Sequence, residues 1–341
     1  MTVRAFAPGR VNLIGEHTDY TGGLVLPMAL DMGITITGES AGDQLSLRSE
    51  QLETTLQADL PISGDLPEDP SWGRYVAAVA RTLEMSTGFT GTISSTLPAG
   101  GTGLSSSSAL TIAALLAFGA LEEDTLEARK AVARLAQKTE AEASGVQSGI
   151  MDQLISITAI EGHASMIDCQ TLDITPVRIP DDVEVMVFHS GQPRLLADSE
   201  YNERRAACET IEAMIGPLRL ATLSEVEALG DPVLRRRGRH VVTENQRVRD
   251  FVAALGAGDL AACGELLAEG HRSLSQDYEV STPIVDEMHA RVSAMSGVYG
   301  ARMVGGGFGG ALVALVEPGT ELDIDTWAIR ARPGPGARVT R

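Results

Sequence analysis

The hydrophobic pattern predicts that strands dominate the start of the chain and that helices follow. Short apolar runs separated by Gly, Asp and Pro fill residues 1–60 and are typical of strands. These predicted strands cover Val3–Ala7, Leu24–Leu30, Ile34–Thr37, Leu45–Ser49 and Leu52–Gln57. After a Pro-rich stretch, apolar residues at helical spacing predict three helices and one intervening strand. The helices cover Trp72–Met85, Ala109–Leu121 and Thr125–Glu142, and the strand covers Thr90–Thr96.

The pattern changes after Gly162, where amphipathic helices become dominant. Two strand-like runs precede a long helical stretch that carries Arg and Glu at helical spacing. A further helix then leads to a Gly-rich turn between two apolar runs. These elements cover Ala164–Asp168, Val183–His189, Leu195–Leu267, Pro283–Met295, Ala301–Val304 and Ala311–Val316. We therefore predict an N-terminal domain over 1–170 and a C-terminal domain over 171–341.

Length and charge narrow the class of protein. The chain has 341 residues, enough for about two domains at roughly 150 residues each. It carries 27 Lys and Arg against 46 Asp and Glu, a net charge of −19. Nucleic-acid binding is excluded on this ground, because phosphate neutralisation needs clustered basic residues. The one basic run, Arg235–Arg239, is predicted to be a solvated helix face.

Cysteine spacing and apolar run lengths predict a cytoplasmic protein. The three cysteines (Cys169, Cys208 and Cys263) are far apart and form no CxxC pair, so neither a zinc site nor a disulfide framework is indicated. The longest apolar run, Ala109–Leu121, is shorter than the ~20 residues that span a bilayer. The first ten residues lack the apolar core of a signal peptide. We expect no membrane partner.

A Gly- and Ser-rich loop before the apolar helix is a candidate phosphate site. It reads Gly101-Thr102-Gly103-Leu104-Ser105-Ser106-Ser107, followed by a fourth serine. Unpaired backbone N–H groups at a helix N-terminus attract anions, and glycines allow a close approach. The alternative is a flexible turn with one capping serine, but four serines exceed that need. The loop is not a Walker A sequence, because no Lys follows its glycines.

The segment around Arg10 is a candidate sugar site. Arg10 offers a permanently charged fork that suits phosphate, and Glu16, His17 and Asp19 follow within nine residues. Two carboxylates and an imidazole so close together suit the hydroxyls of a polyol. A divalent metal site and a hydrogen-bonded turn are the alternatives.

Three further positions carry a weaker signal when each is read by itself. Asp152 follows a glycine-rich turn and reads as a helix N-terminal residue. Glu140, at a helix end, reads as a solvated carboxylate. Gly305–Gly310 fits a dinucleotide-binding spacing, but a strand-like run follows it instead of a helix. A tight hairpin that brings backbone amides beside a ligand explains it better.

Taken together, these segments resemble the GHMP family of small-molecule kinases and, within it, the galactokinases. The run Pro8–Tyr20 is similar to the galactokinase signature, and Gly101–Ser107 is similar to the family's nucleotide-phosphate loop. Gly149–Gln153 and Gly305–Gly310 resemble its third and fourth signatures. Tyr201–Arg205 and Arg235–Glu244 resemble further galactokinase stretches, so the similarity runs in order through almost the whole chain.

The resemblance implies a fold and an activity. The implied fold class is α+β, with an N-terminal domain like ribosomal protein S5 domain 2 and a C-terminal α/β-plait (ferredoxin-like) domain. The active site would lie between them. The implied reaction is ATP-dependent phosphorylation of D-galactose at its anomeric hydroxyl to α-D-galactose 1-phosphate, which begins galactose use by the Leloir pathway. The alternatives are a kinase for a related sugar such as N-acetylgalactosamine, or a non-catalytic galactose and ATP sensor. We expect a monomer.

The resemblance also implies residue roles. Arg10 would stabilise the transferred phosphoryl group, and Asp152 would face the anomeric hydroxyl as general base. The sugar would be held by Glu16, His17, Thr18, Asp19, Gly149, Asp152 and Tyr201. ATP would contact Gly101, Thr102, Gly103, Leu104, Ser105, Ser106, Ser107, Trp72 and Ser49. Ser107 and Glu140 would hold Mg²⁺. The segment Gln192–Leu196 departs from a His-containing pattern of many relatives.

Overall fold

The structure is a computed structural model that describes residues 1–98, 103–193 and 197–341. Its elements in the first half of the chain are β1 (Val3–Asn12), β2 (Leu24–Val25), β3 (Pro27–Ser40), β4 (Gln44–Ser49), β5 (Thr55–Asp59), α1 (Gly73–Thr82), β6 (Phe89–Ser95), α2 (Ser106–Ala117), α3 (Leu126–Ser144) and α4 (Met151–Thr158). A short 3₁₀ turn, Asp19–Thr21, lies between β1 and β2.

The second half continues with strands and longer helices. Its elements are β7 (His163–Asp168), β8 (Asp173–Arg178), β9 (Glu184–His189), α5 (Ala197–Ile215), α6 (Leu223–Glu227), α7 (Pro232–Ala257), α8 (Leu260–Gln276), α9 (Pro283–Ser293), β10 (Val298–Met303), β11 (Ala311–Val316), β12 (Ala328–Ala331) and β13 (Arg338–Thr340). The predicted α+β class is confirmed by this mixture of packed helices and sheets.

The largest sheet has six strands in the order β13-β1-β3-β6-β4-β5. Only β4 and β6 pair in parallel among them. Two of its strands are longer than predicted. β1 continues through Pro8 and Gly9 to Asn12, because a bulge between Pro8 and Arg10 absorbs the irregularity. β3 joins two predicted strands into one.

Helix α2 is the central element of the first half and packs on β1 and β3. All of its residues from Ser108 to Ala117 are buried, as expected for a helix that is apolar on every face. It begins three residues before the predicted start, so that Ser106 and Ser107 form its first turn.

The long helical stretch of the second half is divided at local stop signals. Gly216-Pro217, Gly230-Asp231-Pro232 and Gly258-Asp259 separate its helices. Asp231 and Asp259 accept backbone N–H groups as N-caps of α7 and α8. A second sheet, β10-β11-β9-β12, packs against α8 and α9.

The prediction of a solvated face at Arg235–Arg239 is wrong. Arg237 is 4% exposed and bonds the Asp277 carbonyl oxygen and the Glu279 carboxylate. Arg239 pairs with Glu227 and Asp277. Part of the run is buried and ion-paired because carboxylates on α6 and after α8 lie opposite it.

Two features tie the halves of the chain together. A third sheet, β2-β7-β8, joins the start of the chain to its middle, and the predicted division at 170 and 171 falls between β7 and β8. The C-terminal strand β13 returns to pair with β1. The division into two domains stays a prediction.

Candidate active site

A cleft of about 730 Å³ collects side chains from both halves of the chain. Its walls include twelve of the predicted site residues, which come from β1, the loop after it, β4, the start of α1, the start of α2, α3, the start of α4 and α5. These are Arg10, Glu16, His17, Asp19, Ser49, Trp72, Ser106, Ser107, Glu140, Gly149, Asp152 and Tyr201. Gly305 and Gly306 of the hairpin between β10 and β11 also line it.

Arg10 and Asp152 meet in this cleft although 142 residues separate them. Arg10 Nε donates to Asp152 Oδ1 at 2.6 Å and Nη2 donates to Oδ2 at 2.7 Å. This bidentate geometry holds both side chains in one plane. Burial opposes the charge of Arg10, but the nearby Asp152 and Glu16 carboxylates outweigh it and raise the Arg10 pKa.

The backbone around the serine loop supports this pair. Arg10 N–H donates to the Leu104 carbonyl at 3.1 Å, and Arg10 Nη1 donates to the Gly103 carbonyl at 2.6 Å. Ser105 has a left-handed φ of +57° and donates its hydroxyl to Asp152 Oδ2. Gly103, Leu104 and Ser105 therefore hold Arg10 and Asp152, and Ser106 and Ser107 line the cleft. Gly101 and Thr102 lie outside the described residues.

Glu16 is fixed by contacts from β10 and from the hairpin that follows it. Its Oε1 lies 2.8 Å from Arg302 Nη2 and accepts the Gly305 N–H at 2.9 Å. Burial raises the pKa of Glu16, and the guanidinium groups of Arg302 and Arg10 partly oppose this rise. The carboxylate is thus held in one orientation in an environment that disfavours its charge.

Residues 13–18, which follow β1 and are called the sugar loop here, lead into the 3₁₀ turn that carries Asp19. Asp19 lies beside Gly149, just before the start of α4. A methyl group built on Gly149 would come within 1.9 Å of Asp19 Oδ2, so only glycine fits there. Burial raises the pKa of Asp19 to about 7, and the Asp152 and Glu16 carboxylates add to the rise. Asp19 is therefore a carboxyl group that gains or loses its proton near neutral pH.

Aromatic rings surround His17. Its ring centroid lies 5.4 Å from that of Tyr201 and 4.8 Å from that of Tyr278. His17 Nδ1 and the Tyr20 hydroxyl are 3.0 Å apart. Thr18, by contrast, is turned away from the cleft wall: its hydroxyl bonds the Gly15 and Leu24 carbonyls at 2.9 and 2.7 Å. Thr18 shapes the turn that presents its neighbours.

The interpretation of Glu140 as a solvated carboxylate is wrong. The residue is 8% exposed, because α3 packs against α2 and α4. Glu140 Oε1 accepts the Ser107 hydroxyl at 2.5 Å. Its Oε2 accepts from Ser108 at 2.8 Å and from the Gln153 amide at 2.6 Å. Burial raises the pKa of Glu140 despite these bonds.

The Ser107 and Glu140 oxygens fit a magnesium ion. Mg²⁺ prefers hard oxygen ligands and takes one or two carboxylates together with water and substrate phosphates. A divalent cation would also offset the burial that disfavours the Glu140 charge. The described residues contain no cluster of three or more His, Cys, Asp or Glu side chains able to hold a metal.

Ser49 and Trp72 line the cleft near the start of α1. Trp72 Nε1 donates to Thr54 Oγ1 at 2.9 Å, which fixes the plane of the indole. Of the segment that departs from the His-containing pattern, residues 194–196 lie outside the described part of the chain, and Gln192 Oε1 accepts the Thr282 hydroxyl at 2.6 Å.

Several residues that build the site escaped sequence reasoning. Arg302, Glu244 and Gln153 are buried and bond site residues or the backbone beside them. Arg302 is a charged residue within the apolar run Ala301–Val304, and that contrast was the available signal. Glu244 stands between Thr243 and Asn245 and carries no such signal. In the described part of the chain, every helix is too short or too polar to cross a bilayer.

Comparison with known proteins gives a consistent family assignment. The chain matches the galactokinase galactose-binding signature over residues 2–39, the GHMP kinases N-terminal domain over 74–159 and the GHMP kinases C-terminal domain over 251–324. It is 42% identical to galactokinase of Homo sapiens over 328 residues, which is 91% of this chain and 83% of that protein. It is 38% identical to a galactokinase of Haemophilus influenzae over 330 residues, 92% of this chain and 85% of that protein.

Solved structures agree with the sequence comparison. Lactococcus lactis galactokinase complexed with galactose superposes with a TM-score of 0.87 at 31% identity, covering 99% of this chain and 95% of that one. Methanococcus jannaschii mevalonate kinase superposes with a TM-score of 0.71 at 19% identity, covering 98% of each chain. The second likeness extends to the fold alone.

Proposed function

Because the chain belongs to the galactokinase family of the GHMP kinases, we propose that it transfers the γ-phosphoryl group of ATP to the anomeric hydroxyl of D-galactose. The product is α-D-galactose 1-phosphate. The observation that carries this proposal is the Arg10–Asp152 pair at the junction of two groups of residues in one cleft. The sugar signature lies on one side of the pair and the serine-lined start of α2 lies on the other.

Asp152 acts on the attacking hydroxyl group of the sugar, and Arg10 acts on the phosphoryl group that is transferred. The anomeric oxygen attacks the γ-phosphorus, the bond to the oxygen that bridges the β- and γ-phosphates breaks, and the hydroxyl proton passes to Asp152. Arg10 stabilises the negative charge on the equatorial oxygens of the transferred group, where phosphoryl-transfer catalysis is mainly electrostatic. The existing contact between the two side chains sets their positions before the substrates bind.

The sugar is held by Glu16, His17, Asp19, Gly149 and Tyr201. These residues line the same region of the cleft as Asp152, and their carboxylates, imidazole and phenol suit the hydroxyls of a hexose. Glu16 and Asp19 accept hydrogen bonds from sugar hydroxyl groups, and the rings around His17 offer an apolar surface to one face of the sugar. Thr18 contributes through the turn alone.

The nucleotide phosphates lie at the start of α2. Ser106 and Ser107 supply hydroxyls there, beside the unpaired N–H groups of the first helical turn. Ser107 and Glu140 would hold Mg²⁺, which would supply positive charge to offset that of the phosphates. Trp72 and Ser49 contact the base end of the nucleotide.

An ADP-release assay with Mg-ATP and a sugar panel tests the proposal. We expect turnover with D-galactose, and none above background with D-glucose, which differs only at the C4 hydroxyl. Faster turnover with N-acetylgalactosamine than with D-galactose would show that N-acetylgalactosamine is the substrate. Binding of galactose and ATP without turnover would make the protein a sensor. An exposed-site variant, Asp182→Ala, is the control for the quality of each preparation.

A further inference from the structure

A buried ion pair lies directly behind the sugar loop and includes none of the predicted site residues. Arg302 on β10 and Glu244 on α7 have side chains that are 0% exposed. Arg302 Nη1 lies 3.2 Å from Glu244 Oε1, and its Nη2 lies 2.8 Å from Glu16 Oε1. One guanidinium thus bridges a site carboxylate and a carboxylate of the second half of the chain. Charges are rarely buried so completely unless they are paired.

Glu244 holds the backbone of the same loop. Its Oε1 accepts the Gly15 N–H at 2.9 Å, and its Oε2 accepts Arg247 Nε at 2.7 Å. One turn earlier on α7, His240 Nε2 donates to the Glu16 carbonyl at 3.0 Å. Gly15 itself has a φ of +98°, which a side chain would strain. Helix α7 therefore fixes the backbone on both sides of the Glu16 side chain.

The Glu16 carboxylate is oriented by the same group. Arg302 Nη2 and the Gly305 N–H both contact a single oxygen of this carboxylate, Oε1. These two contacts come from β10 and from the hairpin that follows it. The orientation of Glu16 in the cleft is accordingly set by Arg302, which lies behind the cleft lining, together with the backbone of Gly305.

We propose that Arg302 and Glu244 are positioning residues for sugar recognition: they hold the Glu16 carboxylate in the orientation and charge state in which it binds the substrate. Arg302 acts on the carboxylate directly. Glu244 acts through Arg302 and through the Gly15 amide. The inference rests on the proposed role of Glu16 as a sugar ligand.

The charges around Glu16 explain why Arg302 matters for ionisation. Burial raises the pKa of Glu16, and Arg302 is the largest opposing influence, ahead of Arg10. Arg10 is already paired with Asp152. Without Arg302, Glu16 is left near the carboxyl groups of Asp19 and Glu244, so it would hold its proton to higher pH. The titratable and charged groups that face Glu16 from the elements around it are Arg10, Asp19, His240, Glu244 and Arg302, and Asp152 lies beyond Arg10, with which it is paired.

The test is galactose binding by calorimetry without nucleotide, between pH 6 and pH 9, on full-length protein. For Arg302→Met we expect the Kd for galactose at pH 7 to rise ~10-fold or more, as for loss of a charge-assisted hydrogen bond. Affinity should recover as pH rises and Glu16 ionises. Arg302→Lys keeps the charge and should show a smaller loss, and it replaces the Met variant if that variant does not fold.

Glu244→Gln separates orientation from charge. It keeps the size of the side chain and an acceptor for Gly15, and it leaves Arg302 charged. We expect a loss of galactose affinity of a few-fold without a new dependence on pH. Arg302→Met should add nothing to the pH profile of a Glu16→Gln variant, because the titrating group is gone.

Two results would overturn the inference. Arg302→Met could bind galactose with the affinity and pH profile of the unmodified protein. Alternatively, kcat, the KM for ATP and the KM for galactose could all worsen together, as a purely structural role predicts. If the unmodified protein itself binds no galactose, the proposed function fails first, and the variants are not needed to show it.

Discussion

Arg10 keeps its charge in a nearly solvent-free position because two carboxylates face it. Asp152 binds its guanidinium in a fork, and Glu16 lies close enough to raise its pKa further. A guanidinium held this way cannot swing toward solvent. It can therefore meet a transferred phosphoryl group without reorganising, which is the condition for effective electrostatic catalysis.

Replacing Asp152 tests its role as proton acceptor. Asp152→Ala should lower kcat with galactose by ~10² or more, as for loss of an acid–base group. The change should lower stability, because it removes the paired carboxylate of the buried Arg10 guanidinium, but the protein should still fold, because Glu16 still faces Arg10. Steady-state kinetics and circular dichroism give the two readouts. Unchanged kcat, with Asp182→Ala as the comparison, would remove Asp152 from the mechanism.

Asp19 gives the protein a dependence on pH that can be measured without substrate. Its pKa rises from 3.8 to about 7 on folding, so between these values the folded state holds a proton that the unfolded state has released. Stability contributed by Asp19 is therefore full below pH ~4 and is lost as pH rises toward 7. Asp19→Asn cannot ionise and escapes this loss.

We expect the urea midpoint of Asp19→Asn, relative to the unmodified protein, to increase from pH 5 to pH 8. The comparison between variant and parent removes the opposing effect of His240, whose pKa falls to about 4 on burial. The exposed variant Asp182→Asn should show no such change. A constant difference between Asp19→Asn and its parent across this range would contradict the assignment.

At the scale of secondary-structure elements, several of the proposed site residues lie in the first turns of helices. The first turn of α2 presents Ser106 and Ser107, and the first turn of α4 presents Asp152. The two helices pack together and against β1, which carries Arg10. The N-terminal end of a helix favours negative charge, so both ends suit a site for phosphate and carboxylate groups.

The turn before α4 is a test of how closely this helix must approach the sugar loop. Gly149→Ala would drive a methyl group into the Asp19 carboxylate, displacing it. We expect the KM for galactose to rise at least several-fold and stability to fall by ~1–3 kcal/mol, the range for overpacked sites. Gly230→Ala is the matched control, since a methyl group there meets nothing within 4 Å. Equal sugar KM values in both variants would show that Asp19 moves aside without cost.

At the scale of the whole molecule, the cleft exists because distant segments are tied to one another. β13 pairs with β1, β7 pairs with β2, and Glu16 pairs with Arg302. A ligand that contacts residues on both sides of such a cleft stabilises the folded state by an amount that grows with the logarithm of its concentration once that concentration exceeds the Kd. Any ligand that binds only the folded protein acts in this way.

Galactose should therefore protect the protein against unfolding. At a concentration of 100 times its Kd, we expect a gain in the free energy of unfolding of ~2.7 kcal/mol. Thermal denaturation followed by circular dichroism measures it as a rise in Tm. Glucose at the same concentration is the control, and an equal rise with both sugars would show that the effect is not specific binding.

Local pattern and the family resemblance were sufficient for most of the elements and for the candidate residues that line the cleft. Period and turn residues located most elements of residues 1–144 within a few residues but missed β8, β12 and β13, and the resemblance pointed to twelve residues that the folded chain brings into one cleft. Both kinds of information lie in residues close together along the chain. Element ends were missed where tertiary contacts extend them, as at β1, whose bulge carries the strand past Pro8 and Gly9.

The environment of each charge could not be obtained in this way. Glu140 and Arg237 look solvated along the chain, and packing buries both. Arg302 and Glu244 become parts of the site only when β10 and α7 come together behind the sugar loop. Burial, ion pairing and pKa depend on which groups share a small volume, and residues far apart in the chain share it only after folding. The sequence thus determined which chemical groups the site contains. Only the tertiary structure determined their protonation and orientation, because both depend on the neighbours that packing brings together.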